Sequence, residues 1–258
     1  MAAGRERSVE EAVGRSPRGE RLGLALGLVA FFLLGYFGLG LARASGPARD
    51  LSTAADAWLP FVPASVWLYA SAIPMAFAPL LLVRSRRLYR RTIAALAAVI
   101  ATSLVCFALL PVTTADLRPD PSALRGPGFT AWALRLLYGL DPPRNAFPSL
   151  HLAIGTVLLR SATRGAPLRA AAGTAWLAAL AVSASTVKQH FVVDTAAGVV
   201  LGAIADGMMA RPAAREAAGG GSRRGALALL GVVALFYAGL YAAYRTGAQP
   251  FAGREWRP

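Results

Sequence analysis

Long apolar runs alternate with short polar segments along most of this chain, and arginine is the main charged residue of the polar segments. An uncharged run of about twenty residues is long enough for a helix to cross a hydrocarbon layer about 30 Å thick. We therefore predict an all-α fold, a polytopic bundle of membrane helices. The predicted spans are 22–42, 64–83, 92–112, 149–163, 167–187, 191–210 and 225–244.

The last predicted span is set apart by its composition. A run of glycine and arginine that includes Gly219, Gly220 and Gly221 precedes it and is typical of a flexible linker. We therefore expect a six-helix membrane domain followed by one additional helix. The expected parts are a cytoplasmic N-terminal tail at 1–21, the six-helix domain at 22–211, a cytoplasmic linker at 212–224, and the additional transmembrane helix with a C-terminal tail at 225–258.

The positions of the arginines predict the orientation of the bundle. Arginine clusters occupy alternate connections between the predicted spans, and basic residues are enriched on the cytoplasmic side of membranes. The N-terminal tail and the segments 84–91, 160–169 and 211–224 are then cytoplasmic. The connections 113–147 and 188–190 are extracytoplasmic. We expect the protein in a bacterial cytoplasmic membrane, with its N-terminus in the cytoplasm.

The formal net charge of +14 raises the question of a nucleic-acid partner. The basic residues are distributed among the loops, where topology signals and anionic headgroups account for them. We therefore predict that membrane lipids are the partners of the basic residues and that nucleic acid is not. The oligomeric state does not follow from the sequence.

The candidate chemistry lies in two short segments, which contain the two histidines and the single lysine of the chain. His190 precedes Asp194 by four residues, which places both on one face of a helix. A carboxylate that binds one ring nitrogen leaves the other free as a base or nucleophile. The predicted topology puts His151 on the same side of the membrane as His190, so we expect one extracytoplasmic reaction centre made from both segments.

His151 lies near the start of an unusually short span. The fifteen residues of 149–163 would form a helix about 22 Å long, which is less than the hydrocarbon thickness. Pro148 and Ser149 suit the first positions of a helix. Since a helix N-terminus offers free N–H groups and a positive partial charge, we expect an anion site below the outer surface.

The connection 113–147 contains an amphipathic stretch. Its spacing predicts a short helix that either lies in the headgroup region or caps the bundle, in both cases beside the histidines. The apolar positions of this helix are Phe129, Trp132, Ala133, Leu136, Leu137 and Leu140.

Four other aspartates are expected to have structural and not catalytic roles. Asp116, Asp120 and Asp141 are read as turn residues of the long connection. Asp206 is read as a solvated helix-end residue or a partner of Arg211.

The two histidine segments resemble signature motifs of a known family. The segments Pro148-Ser149-Leu150-His151 and His190-Phe191-Val192-Val193-Asp194 are similar to the second and third motifs of the type 2 phosphatidic acid phosphatase (PAP2) superfamily. Within that superfamily, the sequences Phe-Pro-Ser-Leu-His and Lys-Gln-His are most similar to those of the inositol-phosphorylceramide-synthase-like branch. The resemblance implies a six-helix core and a metal-independent lipid phosphatase or phosphotransferase that needs no cofactor and forms a phosphohistidine.

The resemblance also implies roles for individual residues. His190 would attack phosphorus, Asp194 would orient that imidazole, and His151 would protonate the leaving oxygen. Ser149 and neighbouring backbone amides, among them that of Leu150, would hold phosphate oxygens. We add Lys188, Arg118 and Arg144 to the expected phosphate-binding residues as candidate cations.

Several positions depart from the family pattern. Leu150 stands where the second motif usually has glycine, and Ala184 stands where the third motif usually has arginine. The first motif retains Arg118-Pro119 but has Pro111 at its lysine position. Because phosphoryl transfer needs charge neutralisation, other cations must take over, and we rank Lys188 first, then Arg118, then Arg144.

Four functions remain open at this point. The leading hypothesis is a lipid phosphatase that cleaves a phosphate ester or pyrophosphate, and headgroup transfer to an alcohol is the alternative. A transporter that uses a His–Asp–Lys proton relay is a third possibility. The eroded first motif would also fit a non-catalytic lipid-binding protein.

Overall fold

The computed structural model describes residues 17–42, 46–119, 124, 128–210 and 223–248. Within these ranges the chain forms helices and no β-strand, so the predicted all-α class is confirmed. The helices are α1 (Arg18–Ala42), α2 (Ala54–Trp58), α3 (Val66–Ala70), α4 (Ala72–Met75), α5 (Ala78–Leu82), α6 (Arg86–Leu109), α7 (Phe129–Leu140), α8 (Leu150–Ala162), α9 (Pro167–Thr186), α10 (Val192–Ala205) and α11 (Arg223–Arg245).

Five helical segments in the described part of the chain are long and apolar enough to cross a membrane. They are α1, α6, α9, α11 and the segment Val192–Met209, which continues α10 through a π-helical turn. α8 is apolar but shorter, as the sequence predicted. The prediction of an integral membrane bundle is therefore confirmed.

The span predicted at 64–83 is not one continuous helix. A 3-10 turn at Pro63–Ser65 leads into the short helices α3, α4 and α5. Pro74 and Pro79 lie in this segment, and a proline inside a helix removes a backbone donor and interrupts the hydrogen-bond ladder. The broken segment begins beside α7 and ends near the start of α6.

Among the described helices, α8 and α10 share the most extensive contact. A Cβ atom built at Gly198 would lie 2.3 Å from the carbonyl oxygen of Ser149, and one at Gly202 would lie 2.4 Å from that of Ala153. Two glycines four residues apart thus present bare backbone to the facing helix, the arrangement that lets membrane helices approach closely. The approach brings the starts of α8 and α10 together.

Basic residues and their partners gather at one end of the bundle. Glu20 in the first turn of α1 pairs with Arg86 at the start of α6 at 2.8 Å. Asp206 is fully buried and pairs with Arg160 at 2.8 Å and also with Arg164. The interpretation of Asp206 as a solvated residue is therefore wrong, because a buried carboxylate at a helix end needs compensating cations. Arg211, its other suggested partner, lies outside the described residues.

The opposite end of the bundle holds the histidines. Here the last part of α1 packs on the connection before α8, and the Asn145 side-chain amide donates to the Tyr36 carbonyl at 3.2 Å. A Cβ at Gly40 would lie 2.7 Å from Pro142. The described arginine clusters and the two histidines thus occupy opposite ends of the molecule.

α11 packs on the rest of the bundle along α4, α5 and α7. The Phe129 ring lies 5.3 Å from that of Tyr241 and 5.2 Å from that of Tyr244, and the Trp132 indole donates to the Ala248 carbonyl at 2.7 Å. The amphipathic helix predicted at Phe129–Leu140 is present as α7 and caps the bundle beside α11. The division into a six-helix domain and an additional helix stays a prediction.

The glycine contact predicts a specific sensitivity. Gly198→Ala is expected to lower the free energy of unfolding by about 2 kcal/mol, because the added methyl group overlaps a backbone oxygen of α8 that cannot move aside. Thermal unfolding of the purified protein in detergent measures this. Gly231→Ala in α11 is the matched control, since a Cβ there meets nothing within 4 Å and alanine favours a helix. Equal stability of the two variants would contradict the proposed role of this contact.

Candidate active site

The close approach of α8 and α10 places the two imidazoles side by side. His151 is the second residue of α8, and His190 lies in the turn that joins α9 to α10. Their ring centroids are 6.0 Å apart, and the planes are inclined at 65°. A single phosphorus-sized centre can therefore contact both rings.

His190 is buried and held by one ring nitrogen. Its Nδ1 lies 3.1 Å from the carbonyl oxygen of Ala146. A carbonyl only accepts hydrogen bonds, so Nδ1 carries the hydrogen and Nε2 carries the lone pair. Nε2 is buried and has no hydrogen-bond partner among the described residues. This is the arrangement of an available nucleophile.

Asp194 lies beside this ring, but it does not make the orienting hydrogen bond that the sequence suggested. Its Oδ2 is 3.7 Å from His190 Nδ1 and accepts from the Phe191 backbone amide at 2.9 Å. Its backbone carbonyl accepts from the Ser149 amide at 3.0 Å. Asp194 therefore caps α10, ties it to α8, and places a carboxylate beside the His190 ring.

His151 contacts a different group. Its Nδ1 lies 2.9 Å from the Tyr69 hydroxyl, which is itself 3.5 Å from Oδ2 of Asp141. The Tyr36 hydroxyl donates to the other oxygen of the same carboxylate. Asp141 therefore binds two tyrosines that reach it from α1 and α3, and the reading of Asp141 as a turn residue is incomplete.

Arg118 lies at the same end of the bundle as the two histidines. Its Nη2 donates to Gln189 Oε1 at 2.7 Å and to the Asp141 carbonyl at 3.0 Å, and the guanidinium lies over the Tyr138 ring, 5.0 Å from its centroid. Burial lowers the pKa of Arg118, and the nearby Asp141 carboxylate opposes that shift. Since arginine starts far above neutral pH, it remains a cation.

The Arg118 contact orients Gln189, the neighbour of His190. A guanidinium only donates, so the Gln189 oxygen must face it and Nε2 must be the amide nitrogen. That Nε2 is buried without an acceptor, and Ser149 Oγ and Arg118 Nε are likewise buried without a partner in the described part of the chain. Unpartnered buried donors are costly, and several in one region are what an oxyanion would satisfy.

The other residues expected in phosphate binding have different surroundings. Lys188 donates from Nζ to the Leu59 carbonyl at 2.6 Å, and Arg144 donates to the Gly46 carbonyl at 2.5 Å. Leu150 packs in the apolar core at the start of α8. Because the Ser149 amide is already used by Asp194, the Ser149 hydroxyl is the group of that residue left to bind a ligand.

Asp56 acts on the site indirectly, by holding the start of the helix that follows His190. Its Oδ1 accepts from the Val192 amide at 2.7 Å, and its Oδ2 accepts from both the amide and the hydroxyl of Thr53. It thereby fixes the start of α10, two residues after His190. The sequence did not predict the parts played by Asp56, Tyr69 and Ala146. Gln189 lies in one of the two histidine segments, but its residue type alone does not indicate a role in the site.

A metal site was not expected from the sequence. Within the described ranges, His, Cys, Asp and Glu side chains do not form a group of three or more that could hold an ion.

Comparison with known proteins identifies one family. Residues 48–207 match the model of a PAP2 superfamily domain, which is more than half of the chain and includes both histidine segments. No curated protein and no solved structure gives a significant match.

The Arg118–Gln189 contact predicts that phosphate affinity depends on Arg118 more than on Arg144. Arg118→Leu is expected to weaken binding of inorganic phosphate about 10- to 100-fold, the effect of losing one charge-assisted hydrogen bond. Isothermal titration of the purified protein with phosphate measures this. Arg144→Leu removes the same charge at a partly exposed position and should change the affinity less than about twofold by the same reasoning. The reverse order of effects would contradict the assignment.

Proposed function

The chain belongs to the PAP2 superfamily, and we propose that it cleaves a phosphate ester or pyrophosphate of a lipid through a phosphohistidine on His190. The observation that carries this proposal is the unpartnered Nε2 of His190, which lies beside a second imidazole and near buried hydrogen-bond donors. A nucleophile, a proton donor and an oxyanion site are the three parts that phosphoryl transfer requires.

In the first step, the lone pair of His190 Nε2 attacks phosphorus and the bond from phosphorus to the lipid oxygen breaks. The bonding electrons remain on that oxygen, which receives a proton from Nε2 of His151. The products are the lipid alcohol, or a lipid phosphate if the substrate is a pyrophosphate, and phosphorylated His190. Asp194 stabilises the positive charge that the His190 ring acquires.

In the second step, water attacks phosphorus and gives its proton to His151 Nε2. The bond from phosphorus to nitrogen breaks, its electrons return to His190, and inorganic phosphate leaves. If the substrate is a phosphodiester lipid, the group on His190 is the phosphorus with its headgroup still attached, and an alcohol acceptor can take the place of water in the second step. Headgroup transfer, the activity suggested by the likeness to the inositol-phosphorylceramide-synthase branch, is therefore the alternative reaction.

We rank Arg118 as the principal phosphate cation, followed by Lys188 and then Arg144. Arg118 bonds to Gln189 next to the nucleophile, whereas Lys188 and Arg144 bond to backbone carbonyls of other segments. The Ala184 side chain is fully buried in the core, which favours the view that a cation is supplied from another part of the chain. Gln189 and Ser149 complete the set of donors.

The membrane bundle supports a lipid substrate. α8 has thirteen residues and is about 20 Å long, so a helix that reaches the arginine-rich end starts below the opposite headgroups. His151 would then meet a phosphate at the depth where a lipid headgroup joins its chains. By the positive-inside rule, this end of the bundle is extracytoplasmic.

His190→Ala is expected to abolish turnover, and His151→Ala is expected to reduce it about 10²- to 10⁴-fold, the usual contribution of a general acid. The assay is release of labelled phosphate from phosphatidate in vesicles that contain the purified protein. Denaturation in alkali, which preserves phosphohistidine, should trap the label on the wild type and not on His190→Ala. EDTA should leave the rate unchanged.

The same assay, run also with phosphatidylinositol labelled in its phosphate, separates the two reactions. Release of free phosphate without an added alcohol supports hydrolysis, whereas turnover that requires inositol or another alcohol supports transfer. A wild-type rate in the His190→Ala variant, or an activity that EDTA removes, would contradict the proposed mechanism.

A further inference from the structure

We infer that Tyr69 and Asp141 hold His151 as the proton donor of the reaction, through a chain of hydrogen bonds that ends in a carboxylate. This inference rests on the proposed function, because it concerns how His151 acts in it. Tyr69 and Asp141 are positioning residues here, since both act through the imidazole and not on the phosphate.

The geometry of the chain is continuous from the imidazole to the carboxylate. The Tyr69 hydroxyl is 2.9 Å from His151 Nδ1, and the two ring centroids are 4.6 Å apart. On its other side this hydroxyl is 3.5 Å from Asp141 Oδ2, at the outer limit of a hydrogen bond. Tyr36 donates to the remaining oxygen of Asp141, so the carboxylate receives a donor on each oxygen.

Donor and acceptor rules give this chain a direction. A protonated imidazole donates from both nitrogens and accepts at neither, so its Nδ1 must donate to the Tyr69 oxygen. Tyr69 has one hydroxyl hydrogen, which is then directed to Asp141, and an ionised carboxylate only accepts. The charged form of His151 is thereby stabilised through Tyr69, and its Nε2–H is left for the leaving oxygen.

The two histidines differ in the group that holds Nδ1. His190 Nδ1 donates to the carbonyl of Ala146, which leaves a lone pair on Nε2 for attack, and the Asp194 carboxylate lies 3.7 Å away without a hydrogen bond to the ring. His151 is held by a hydroxyl backed by a carboxylate, which offsets part of the cost of a charged ring in apolar surroundings when His151 carries a proton on each nitrogen. The ionisable groups around His151 are Tyr69, Asp141 and His190, and Arg118 reaches the same region through the Asp141 carbonyl.

This difference explains how two imidazoles in one site can take opposite roles. In the forward step, His151 Nε2–H gives its proton to the leaving oxygen, and Nδ1–H stays bonded to Tyr69. When water or an alcohol attacks in the second step, its proton returns to the same Nε2. Tyr69 keeps its hydroxyl proton throughout, and Asp141 stays ionised.

The test compares leaving groups that differ in their need for a proton. Tyr69→Phe keeps the ring and removes the hydroxyl. It is expected to lower kcat/KM about 10- to 100-fold for dodecyl phosphate, whose alkoxide must be protonated as it leaves. For p-nitrophenyl phosphate, whose phenolate leaves without a proton, the loss should stay below about threefold by the same argument.

Two further variants separate positioning from general damage. Asp141→Asn should reproduce the selectivity of Tyr69→Phe, and combining Tyr69→Phe with His151→Ala should be no worse than His151→Ala alone, since the hydroxyl acts through that ring. Tyr89→Phe is the control, because it removes a buried, hydrogen-bonded hydroxyl that donates to the Arg21 carbonyl at the arginine-rich end. Its kcat/KM should match the wild type with both substrates.

Each possible result decides the question. Equal losses with both substrates in Tyr69→Phe, unchanged rates with both, or additive effects with His151→Ala would each overturn this inference while leaving a functional wild-type enzyme. If the wild type neither hydrolyses dodecyl phosphate nor becomes labelled on His190, the proposed function fails and this inference fails with it.

Discussion

The site depends on how closely two helices can approach each other. Gly198 and Gly202 place bare backbone of α10 against the carbonyls of Ser149 and Ala153 in α8. The Ser149 amide then reaches the Asp194 carbonyl at 3.0 Å, which sets the relative height of the two helix starts. Because His151 is the second residue of α8 and His190 lies two residues before α10, this contact brings the two rings to a centroid separation of 6.0 Å.

Around this contact, segments distant in the sequence supply groups that α8 and α10 lack. Asp56 caps α10 from the N-terminal side, Tyr69 reaches His151 from the broken helical segment, and Arg118 bonds to Gln189 from the long connection. A buried donor without an acceptor is costly, and an anion that accepts from the unpartnered donors in this region would remove that cost. Under the proposed function, Arg118, Gln189 and Ser149 would supply donors in place of the two basic residues of the family pattern that this chain lacks.

Much of the fold follows from patterns that are visible in the sequence. Apolar run length predicted the membrane helices, and the spacing of Phe129 and Trp132 predicted the amphipathic helix α7. Pro74 and Pro79 indicate the break in the span 64–83, but the length of the apolar run does not show it. The burial of Asp206 between two arginines of neighbouring segments had no local signal, since its partners depend on tertiary packing.

Part of the candidate site could also be predicted from the sequence. His151, His190 and Asp194 stand out because ionisable residues are rare in apolar surroundings. Ala146 holds His190 with a backbone carbonyl, which any residue type carries, so no sequence pattern could indicate it. Tyr69 is one aromatic residue among many in an apolar segment, and only the folded chain shows that its hydroxyl reaches an imidazole 82 positions away.

The most direct test of the central claim is a structure of the protein with orthovanadate, which mimics the five-coordinate phosphorus of the transfer step. We expect vanadium bonded to Nε2 of His190, an apical oxygen about 3 Å from Nε2 of His151, and equatorial oxygens within reach of Arg118 and Gln189. Vanadate bound away from His190, or imidazoles separated by more than about 10 Å, beyond the reach of any shared hydrogen bond, would contradict the account.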